Sequence, residues 1–272
     1  MPEGPEIRIA ADKVARAIAA KPVVRVLFGL AKLKVWESQL AGTTVNTVEA
    51  RGKAMLIHFD NDLNIYSHNQ LYGRWIISPN GELPDTKRQL RIAIHTRDQS
   101  ALLYSASDIE VLSDSEIAAH PYLKKLGPDI FSPNLTKQEI VDRLVSKRFI
   151  KRQLGAFLTD QSFVAGLGNY LRCEILFFTG LNPKALPYQL SNEQLDTLAQ
   201  AILEIPRQSY ETSGITNNLE HAKTLMKQGY SFEDARFWVF RRKGQPCYRC
   251  NTIIRNQNSG GQNCYFCPTC QN

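Results

Sequence analysis

Four cysteines near the end of the chain constrain its fold more than any other feature. Cys247 and Cys250 form one Cys-x2-Cys pair, Cys267 and Cys270 form a second, and the 16 residues 251–266 separate them. This spacing is typical of zinc ribbons, in which each short pair brings two thiolates to one side of a tetrahedral ion. The intervening NTIIRNQNSGGQNCYF predicts a β-hairpin with a Gly-Gly tip. We therefore predict one structural Zn2+ with four protein ligands and no open coordination position.

The two remaining cysteines fall outside this pattern. Cys264 is out of register with the pairs and is interpreted as a spare thiol on the hairpin. Cys173, in LRCEILFF, is predicted to be a buried helix residue. Clustered cysteines favour metal over disulfides in a reducing compartment. The chain has no apolar run near the roughly 20 residues that span a bilayer and no signal-peptide pattern, so we expect a protein of the cytoplasm.

The charge balance favours an anionic partner. The net charge is +7 and the pI is about 9.1, which makes nucleic acid the leading candidate. The bias is strongest over residues 241–272, which hold basic side chains and no acidic ones. This segment is predicted to be a phosphate-binding finger, and the alternative is a solvated face on a small stabilising module. Its basic residues are Arg241, Arg242, Lys243, Arg249 and Arg255.

The first part of the chain predicts a helix followed by a β-sandwich. Apolar residues at helical spacing predict an amphipathic helix over residues 5–19, with Pro5 in the first turn, where a proline costs no hydrogen bond. Between Pro22 and Leu112, short alternating runs separated by turns predict a two-layer antiparallel sandwich. The runs are VVRVLFGL, TTVNTVEA, KAMLIHF, DLNIYSH, RWIIS, QLRIAIH and SALLYSA.

Beyond the linker GPDIFSPN the sequence becomes helical. Thr136-x-x-Glu139 and Ser191-x-x-Gln194 resemble capping boxes. Between them we predict a helix through residues 156–160, a turn over residues 162–168 and a second helix from Asn169, with basic residues just upstream. The glycines of the turn are expected to leave backbone amides free to hold a phosphate. A nucleic-acid-binding helix-turn-helix is one interpretation, and an ordinary helical hairpin is the other.

Together these patterns predict an α+β fold with four segments. They are an N-terminal β-sandwich domain (1–125), a linker (126–136), a helical domain (137–235) and a zinc ribbon (236–272), and the resemblance described next implies that the first is catalytic and the third binds DNA.

Five motifs in this order resemble one known family. MPEGPE, ARGKAMLIHF, SHNQLYGRW, DQSFVAGLGNYLRCEIL and the terminal ribbon ending CPTCQ are similar to the formamidopyrimidine-DNA glycosylase and endonuclease VIII family across almost the whole chain. The QLY stretch and the ribbon spacing resemble its endonuclease VIII branch. The resemblance implies a β-sandwich, a helix-two-turn-helix domain and a zinc finger. It also implies a bifunctional DNA glycosylase and abasic-site lyase that removes oxidised pyrimidines from double-stranded DNA, and we expect a monomer.

The resemblance assigns catalytic roles to the N-terminal motif. Removal of Met1 makes Pro2 a terminal secondary amine, whose reference pKa of about 7.7–8.0 leaves part of it neutral near pH 7. Pro2 is implied to be the Schiff-base nucleophile, with β,δ-elimination following. Glu3 is implied to transfer protons beside it. Lys53, in the RGK turn, is implied to contact the lesion or its phosphate. Glu6 resembles a supporting carboxylate, or alternatively complements the helix dipole.

Further motif positions are implied to contact DNA. Gln70, Leu71 and Tyr72 resemble the wedge that fills the gap left by an extruded nucleotide, although hairpin core residues are the alternative for Leu71 and Tyr72. Asn169 matches a phosphate contact of the family. The family carries a finger arginine five residues before the third cysteine, where this chain has Gln262.

Glutamine lacks the charge and bidentate fork of arginine, so weaker phosphate binding is expected. Arg255 on the facing strand is a candidate substitute. Weakened base excision with retained lyase activity is therefore one alternative. Two further alternatives are an oxidised-purine glycosylase and a noncatalytic zinc-dependent DNA-binding protein. Residues 211–235 are expected to include a lesion-pocket loop, but they show no readable pattern.

Overall fold

The structure is a computed structural model that describes residues 2–79 and 81–272. Met1 and Asn80 lie outside the described residues, so the predicted removal of Met1 concerns a residue that is not described. The described chain forms two compact units. The first consists of Pro2 and residues 6–125, and the second consists of Glu3–Pro5 and residues 126–272.

The first unit contains two four-stranded antiparallel sheets. One has the strand order β1-β6-β7-β5 and the other β2-β3-β4-β8. All seven predicted β runs form strands, and the structure adds β8, which pairs with β4. The strands are β1 Arg25–Phe28, β2 Val45–Arg51, β3 Ala54–Phe59, β4 Leu63–His68, β5 Arg74–Pro79, β6 Leu90–His95, β7 Gln99–Tyr104 and β8 Asp108–Ser113.

One apolar core lies between the two sheets because alternate residues of each strand face inward. On β3, Met55, Ile57 and Phe59 belong to this core, which also includes buried residues of β1, β6 and β7. Ala54 and Leu56 point to the other face of the same strand and form a small separate cluster. This arrangement confirms the predicted sandwich.

The predicted N-terminal helix is α1, Gly4–Ile18. Ala11, Val14 and Ile18 of α1 are buried in the sandwich core, as the helical spacing of apolar residues requires. The unit also contains two short α-helices, α2 Glu37–Leu40 and α3 Asp114–Ala119.

The second unit is helical and ends in the cysteine-bearing hairpin. Ser191 begins a helix with the reciprocal capping box that the sequence predicts, while Thr136 accepts a hydrogen bond from the Glu139 nitrogen at 3.1 Å. Residues 211–235, which the sequence left unassigned, contain two helices. The helices of the unit are α4 Lys137–Leu144, α5 Leu154–Phe157, α6 Asn169–Phe178, α7 Asn192–Glu211, α8 Leu219–Lys227 and α9 Phe232–Ala235.

The predicted hairpin forms between β9, Arg255–Ser259, and β10, Gln262–Phe266. Gly260 and Gly261 make its two-residue tip with φ of 60° and 78°, the left-handed backbone that such tips require. Cys264 lies on β10 and outside the four-cysteine cluster, as the sequence predicts. It is fully buried, and its Sγ lies 3.9 Å from that of Cys173, which is buried on α6 as predicted.

The predicted α+β fold class is therefore confirmed. The division into four segments with boundaries at 125, 136 and 235 stays a prediction. Across residues 2–79 and 81–272, we find no helix both long and apolar enough to cross a membrane.

Candidate functional site

Glu3 is a buried carboxylate held by the first turn of α6. Its side chain accepts hydrogen bonds from the Tyr170 nitrogen at 2.8 Å and the Leu171 nitrogen at 3.3 Å, and Glu3 is 3% exposed. A helix start leaves its first amides without intrahelical partners, and a side chain before the helix usually satisfies them. The N-cap here is Gly168, which has no side chain, so Glu3 supplies the missing acceptor at the positive end of the helix dipole.

Close backbone approach at this point requires glycine. A Cβ on Gly168 would lie 2.2 Å from Cδ of Glu3, which is far inside van der Waals contact. The Gly4 nitrogen donates to the carbonyl of Gly166 at 2.8 Å, and Gly166 has a φ of 99°. The glycines of this turn therefore admit the Glu3–Pro5 segment, with the Glu3 carboxylate facing the helix start.

This geometry corrects one prediction. The amides at the start of α6 were expected to be free to hold a phosphate, but Tyr170 and Leu171 donate theirs to Glu3. Asn169 itself is half-buried, and its Oδ1 accepts a hydrogen bond from Nη2 of Arg172 at 2.5 Å. Its orientation is thereby fixed, with the side-chain NH2 as the group that can donate.

Arg172 is a residue that the sequence analysis missed. It is fully buried, and its Nη1 donates to the carbonyl of Gly155 at 2.5 Å and that of Ser259 at 2.8 Å. Ser259 directly precedes the hairpin tip, so this guanidinium connects α6, α5 and the finger. An arginine inside the apolar run NYLRCEILFF was the available signal, because a buried charge requires built partners.

Glu174 is a second buried charge that the sequence analysis missed, also on α6. Its carboxylate accepts hydrogen bonds from the backbone nitrogens of Trp238, Val239 and Phe240 at 2.7–3.0 Å, and from the hydroxyl of Thr216 at 2.9 Å. Burial raises the pKa of Glu174, while these four hydrogen bonds act in the opposite direction. The segment that leads into the finger is thus anchored to α6.

In the first unit, Lys53 lies in the two-residue turn between β2 and β3. Gly52 has a φ of 60°, the conformation that allows this tight connection. The Lys53 nitrogen donates to Oη of Tyr122 at 3.2 Å, and the lysine is half-buried. The backbone of the turn is therefore held in place from the segment after β8.

The predicted wedge forms the turn between β4 and β5. Leu71 is 56% exposed and Tyr72 is 70% exposed, so they are not hairpin core residues. The backbone below them is fixed, because the Gly73 nitrogen donates to the Asn69 carbonyl at 2.7 Å and Arg88 donates to the Tyr72 carbonyl at 2.7 Å. The turn thus presents a large apolar and an aromatic side chain on a fixed base.

Gln70 carries the third wedge side chain and is held on both sides. Its backbone has a φ of 48°, in the left-handed region that is uncommon for a residue with a Cβ. The Gln70 nitrogen donates to Nδ1 of His68 at 3.1 Å, and its Oε1 accepts from the hydroxyl of Ser107 at 3.2 Å.

Glu6 lies on α1 beside a cavity of about 430 Å3 in the first unit. The cavity is also lined by Lys13, Arg74 and Trp75, and Glu6 is half-buried there. Glu6 therefore lines a mixed polar and apolar recess. Pro2 is half-buried and immediately precedes Glu3 along the chain.

The four predicted metal ligands come together. The Sγ atoms of Cys247, Cys250, Cys267 and Cys270 all lie within 4.8 Å of one another. The separations are 3.9 Å for Cys247–Cys270, 3.4 Å for Cys250–Cys267 and 3.5 Å for Cys250–Cys270. A tetrahedron with metal–sulfur bonds of about 2.3 Å has sulfur–sulfur edges of about 3.8 Å. The cluster therefore fits one metal ion.

Arg255 lies on the strand that faces Gln262, as predicted, but at the other end of the hairpin. Gln262 pairs with Ser259 next to the tip, whereas Arg255 pairs with Phe266 at the opposite end of the hairpin. Arg255 therefore faces the strand of Gln262 without lying opposite it. Arg242 is 3% exposed, stacks on Tyr248 with its Cζ 3.3 Å from the ring centre, and is unsuited to gripping phosphate.

Family models match both parts of the chain. Residues 1–107 match the N-terminal domain of formamidopyrimidine-DNA glycosylase, and residues 126–220 match its H2TH domain. The chain is 49% identical over 271 residues to proteins named Endonuclease 8 from Shigella sonnei and Escherichia coli, covering 100% of both chains in each case.

The fold is also shared with solved structures of lower identity. A Lactococcus lactis Fpg in complex with DNA containing an abasic site is 20% identical with a TM-score of 0.80, and 99% of each chain is covered. A MutM in complex with DNA containing carbocyclic 8-oxo-G is 20% identical with a TM-score of 0.80 and full coverage of both chains.

This chain therefore belongs to the formamidopyrimidine-DNA glycosylase and endonuclease VIII family of base-excision-repair enzymes, which are DNA glycosylases and abasic-site lyases.

Proposed function

We propose that this chain removes oxidised pyrimidines from double-stranded DNA and cleaves the strand through a Schiff base on Pro2. The observation that carries the proposal is the fixed position of Glu3. Its carboxylate is 3% exposed and bound to two backbone amides of α6. Pro2 is the next residue along the chain, so its nitrogen has little conformational freedom once Met1 is removed. A terminal amine held in this way is suited to attack on a bound nucleotide.

The proposed reaction passes through a covalent bond between Pro2 and the sugar of the damaged nucleotide. The neutral amine of Pro2 attacks C1′ and loses its N–H proton, while the bond between C1′ and the damaged base breaks and the leaving base takes up a proton. Opening of the bond between C1′ and O4′ then gives a positively charged Schiff base. This cation acidifies the C2′ proton, whose loss expels the 3′ phosphate. A second elimination expels the 5′ phosphate and leaves a gap of one nucleotide.

Glu3 and Lys53 are proposed to assist these steps. Glu3 shuttles the protons of ring opening and elimination, because its carboxylate is the acidic group next to the nucleophile in the chain. Lys53 contacts the lesion or its phosphate and assists release of the base. We propose only a supporting electrostatic role for Glu6, at the edge of its cavity.

The exposed turn at Gln70, Leu71 and Tyr72 is proposed to enter the duplex. Attack on C1′ requires that the nucleotide leave the stack, and the gap must then be filled. Leu71 offers an apolar plug, Tyr72 a stacking face and Gln70 an amide for the unpaired base. Asn169 is proposed to donate to a DNA phosphate through its side-chain NH2.

The finger is proposed to hold one structural Zn2+ on the four clustered cysteines. All four positions are thiolates, so the ion stabilises the fold and takes no part in the reaction. Gln262 at the tip donates neutral hydrogen bonds to phosphate, and Arg255 contributes only at the far end of the hairpin. The finger is therefore expected to hold phosphate less firmly than an arginine-bearing finger would, and weakened base excision with retained lyase activity stays an alternative.

We propose a monomer in the bacterial cytoplasm, associated with the nucleoid, with segment boundaries at residues 125, 136 and 235. A preference for oxidised purines is the alternative, because it would differ only in the lesion pocket, whose loop is expected within residues 211–235. The noncatalytic alternative is no longer proposed, since the chain belongs to a family of enzymes.

The substrate class is tested by single-turnover excision from duplexes that contain thymine glycol or 8-oxoguanine. We expect faster release of thymine glycol. Faster release of 8-oxoguanine would replace the proposed class with the purine alternative. A Pro2→Gly variant serves as the matched control, because DNA binding is expected to persist while strand cleavage falls.

A further inference from the structure

The turn that carries Lys53 and the turn that carries Gln70 are connected by two aromatic residues. The Lys53 nitrogen donates to Oη of Tyr122 at 3.2 Å. The ring of Tyr122 meets that of His68 edge-to-face, with centroids 5.5 Å apart and an interplanar angle of 84°. Nδ1 of His68 in turn accepts the Gln70 nitrogen at 3.1 Å. One continuous set of contacts therefore runs from the proposed lesion contact to the proposed wedge.

The link to Gln70 has a specific task. Gln70 has a φ of 48°, and a left-handed backbone is unfavourable for a residue with a Cβ. The hydrogen bond to His68 is one of the contacts that offset this cost. His68 is the last residue of β4 and pairs with Ala54, directly after Lys53, so its ring is placed by the sheet register.

We propose that His68 and Tyr122 are positioning residues, His68 holding the Gln70 wedge for nucleotide extrusion and Tyr122 holding the Lys53 turn for base release. This inference rests on the proposed roles of Lys53 and Gln70. Neither His68 nor Tyr122 touches the reacting atoms in this account. They act through the backbone of the two turns.

The hydrogen bond between the Gln70 nitrogen and Nδ1 of His68 depends on the protonation state of the His68 ring. Nδ1 accepts a hydrogen bond only when it is unprotonated, because both ring nitrogens donate in the imidazolium form. Burial lowers the pKa of His68, the charge of Lys53 acts in the same direction and Asp108 on β8 acts against it. Tyr122 faces the ring from the segment after β8, and Glu110 and His120 line the same cavity. Acidification below the pKa of His68 breaks the bond to Gln70.

The test compares two replacements of His68. His68→Asn places an amide oxygen close to the position of Nδ1 and does not titrate, whereas His68→Leu removes the acceptor. His95→Asn is the matched control, since His95 is a half-buried histidine of the other sheet whose pKa is also lowered by burial. Extrusion is followed by the fluorescence of 2-aminopurine placed beside thymine glycol, which reports unstacking separately from the chemistry at Pro2.

At about pH 7.5, His68→Leu is expected to slow extrusion by about tenfold, while His68→Asn and His95→Asn stay within about twofold of wild type. Lowering the pH through the pKa of His68, which burial holds below its usual value of about 6.5, is expected to slow extrusion by wild type and His95→Asn, but not by His68→Asn. Equal extrusion by His68→Leu and wild type would overturn the inference. The same slowing of extrusion at low pH in His68→Asn as in wild type would also overturn it. Unfolding midpoints identify a variant that fails to fold.

Tyr122→Phe tests the other link, because it keeps the ring and removes the acceptor of the Lys53 nitrogen. We expect several-fold slower base release at unchanged extrusion, and unchanged base release would remove Tyr122 from the inference. The wedge role and the positioning role of His68 are contradicted by different results. No fluorescence change with wild type would reject the wedge itself, whereas a normal change with wild type and His68→Leu alike would reject only the positioning role.

Discussion

The carboxylate of Glu3 accepts the backbone nitrogen of Tyr170 at 2.8 Å and so replaces the side-chain cap that Gly168 cannot provide. Glu3→Gln keeps an oxygen acceptor for this amide but removes the group that exchanges protons. We expect base excision to fall by about a hundredfold or more, with little change in the unfolding midpoint. Single-turnover assays on thymine glycol duplexes measure this, with Glu6→Gln as control. Excision within a few fold of wild type would contradict the role of Glu3.

Gly168→Ala is expected to displace Glu3, because the new Cβ would lie 2.2 Å from its Cδ. The loss of folding stability caused by Gly168→Ala should be smaller when the Glu3 side chain is absent. In a double-mutant cycle with Glu3→Ala, we expect a coupling energy of about 1–3 kcal/mol in urea unfolding. Additive effects of the two changes would show that the steric relationship does not govern this site.

Gln262→Arg is expected to strengthen phosphate binding at the hairpin tip. The added charge should steepen the salt dependence of DNA binding by about one ion and raise the rate of base excision. Arg255→Gln is the matched change at the other end of the hairpin. Unchanged affinity and unchanged excision in Gln262→Arg would reject the idea that Gln262 weakens the finger.

Metal removal is expected to unfold the finger. We predict one zinc ion per chain by elemental analysis, lost on chelation or in Cys267→Ser, with loss of DNA binding. Cys264→Ala should keep its zinc, because Cys264 lies beside Cys173 rather than within the four-sulfur cluster. Loss of zinc from Cys264→Ala, or its retention in Cys267→Ser, would contradict the ligand assignment.

The pKa values of two histidines of the sandwich should be shifted in opposite directions. The hydrogen bond to Glu49 raises the pKa of His58, and Asn64 accepts from its other nitrogen, whereas burial lowers the pKa of His68. The stability contributed by His58 is therefore complete below about pH 6.5 and is lost as pH rises through its folded pKa. The depressed pKa of His68 has the opposite consequence, a loss of stability as pH falls below about 6.5.

Histidine titration by NMR measures both values directly. His58→Gln should remove the loss of stability on the alkaline side, and His68→Asn the loss on the acid side. A pKa of His58 below that of His68 would contradict both assignments.

The local patterns of the sequence were sufficient for much of the fold. Alternating runs predicted seven of the eight strands of the sandwich, and helical spacing placed α1 to within one residue at each end. β8 escaped prediction because its charged residues interrupt a short apolar alternation in SDIEVLSD. The zinc ligands could be predicted because two Cys-x2-Cys pairs are visible directly in the sequence. The Gly-Gly tip could be predicted because such turns require a left-handed backbone.

The contacts that organise the candidate site were not readable, because they join residues far apart in the chain. No local pattern shows that Glu3 would occupy the amides of Tyr170 and Leu171, which the glycine turn alone suggested were free for phosphate. The same holds for Arg172, whose partners at Gly155 and Ser259 become neighbours only after folding. Buried charges such as Arg172 and Glu174 can be suspected from apolar surroundings, but their partners cannot.

The central claim is that Pro2 forms a covalent Schiff base with damaged DNA. Borohydride trapping tests it most directly, with duplexes that carry thymine glycol, 8-oxoguanine or an abasic site, followed by peptide mapping of the adduct. We predict a trapped adduct on the peptide that begins at Pro2, strongest for the abasic site and thymine glycol and weaker for 8-oxoguanine. The absence of a covalent adduct with all three duplexes, or an adduct located on Lys53, would contradict the account.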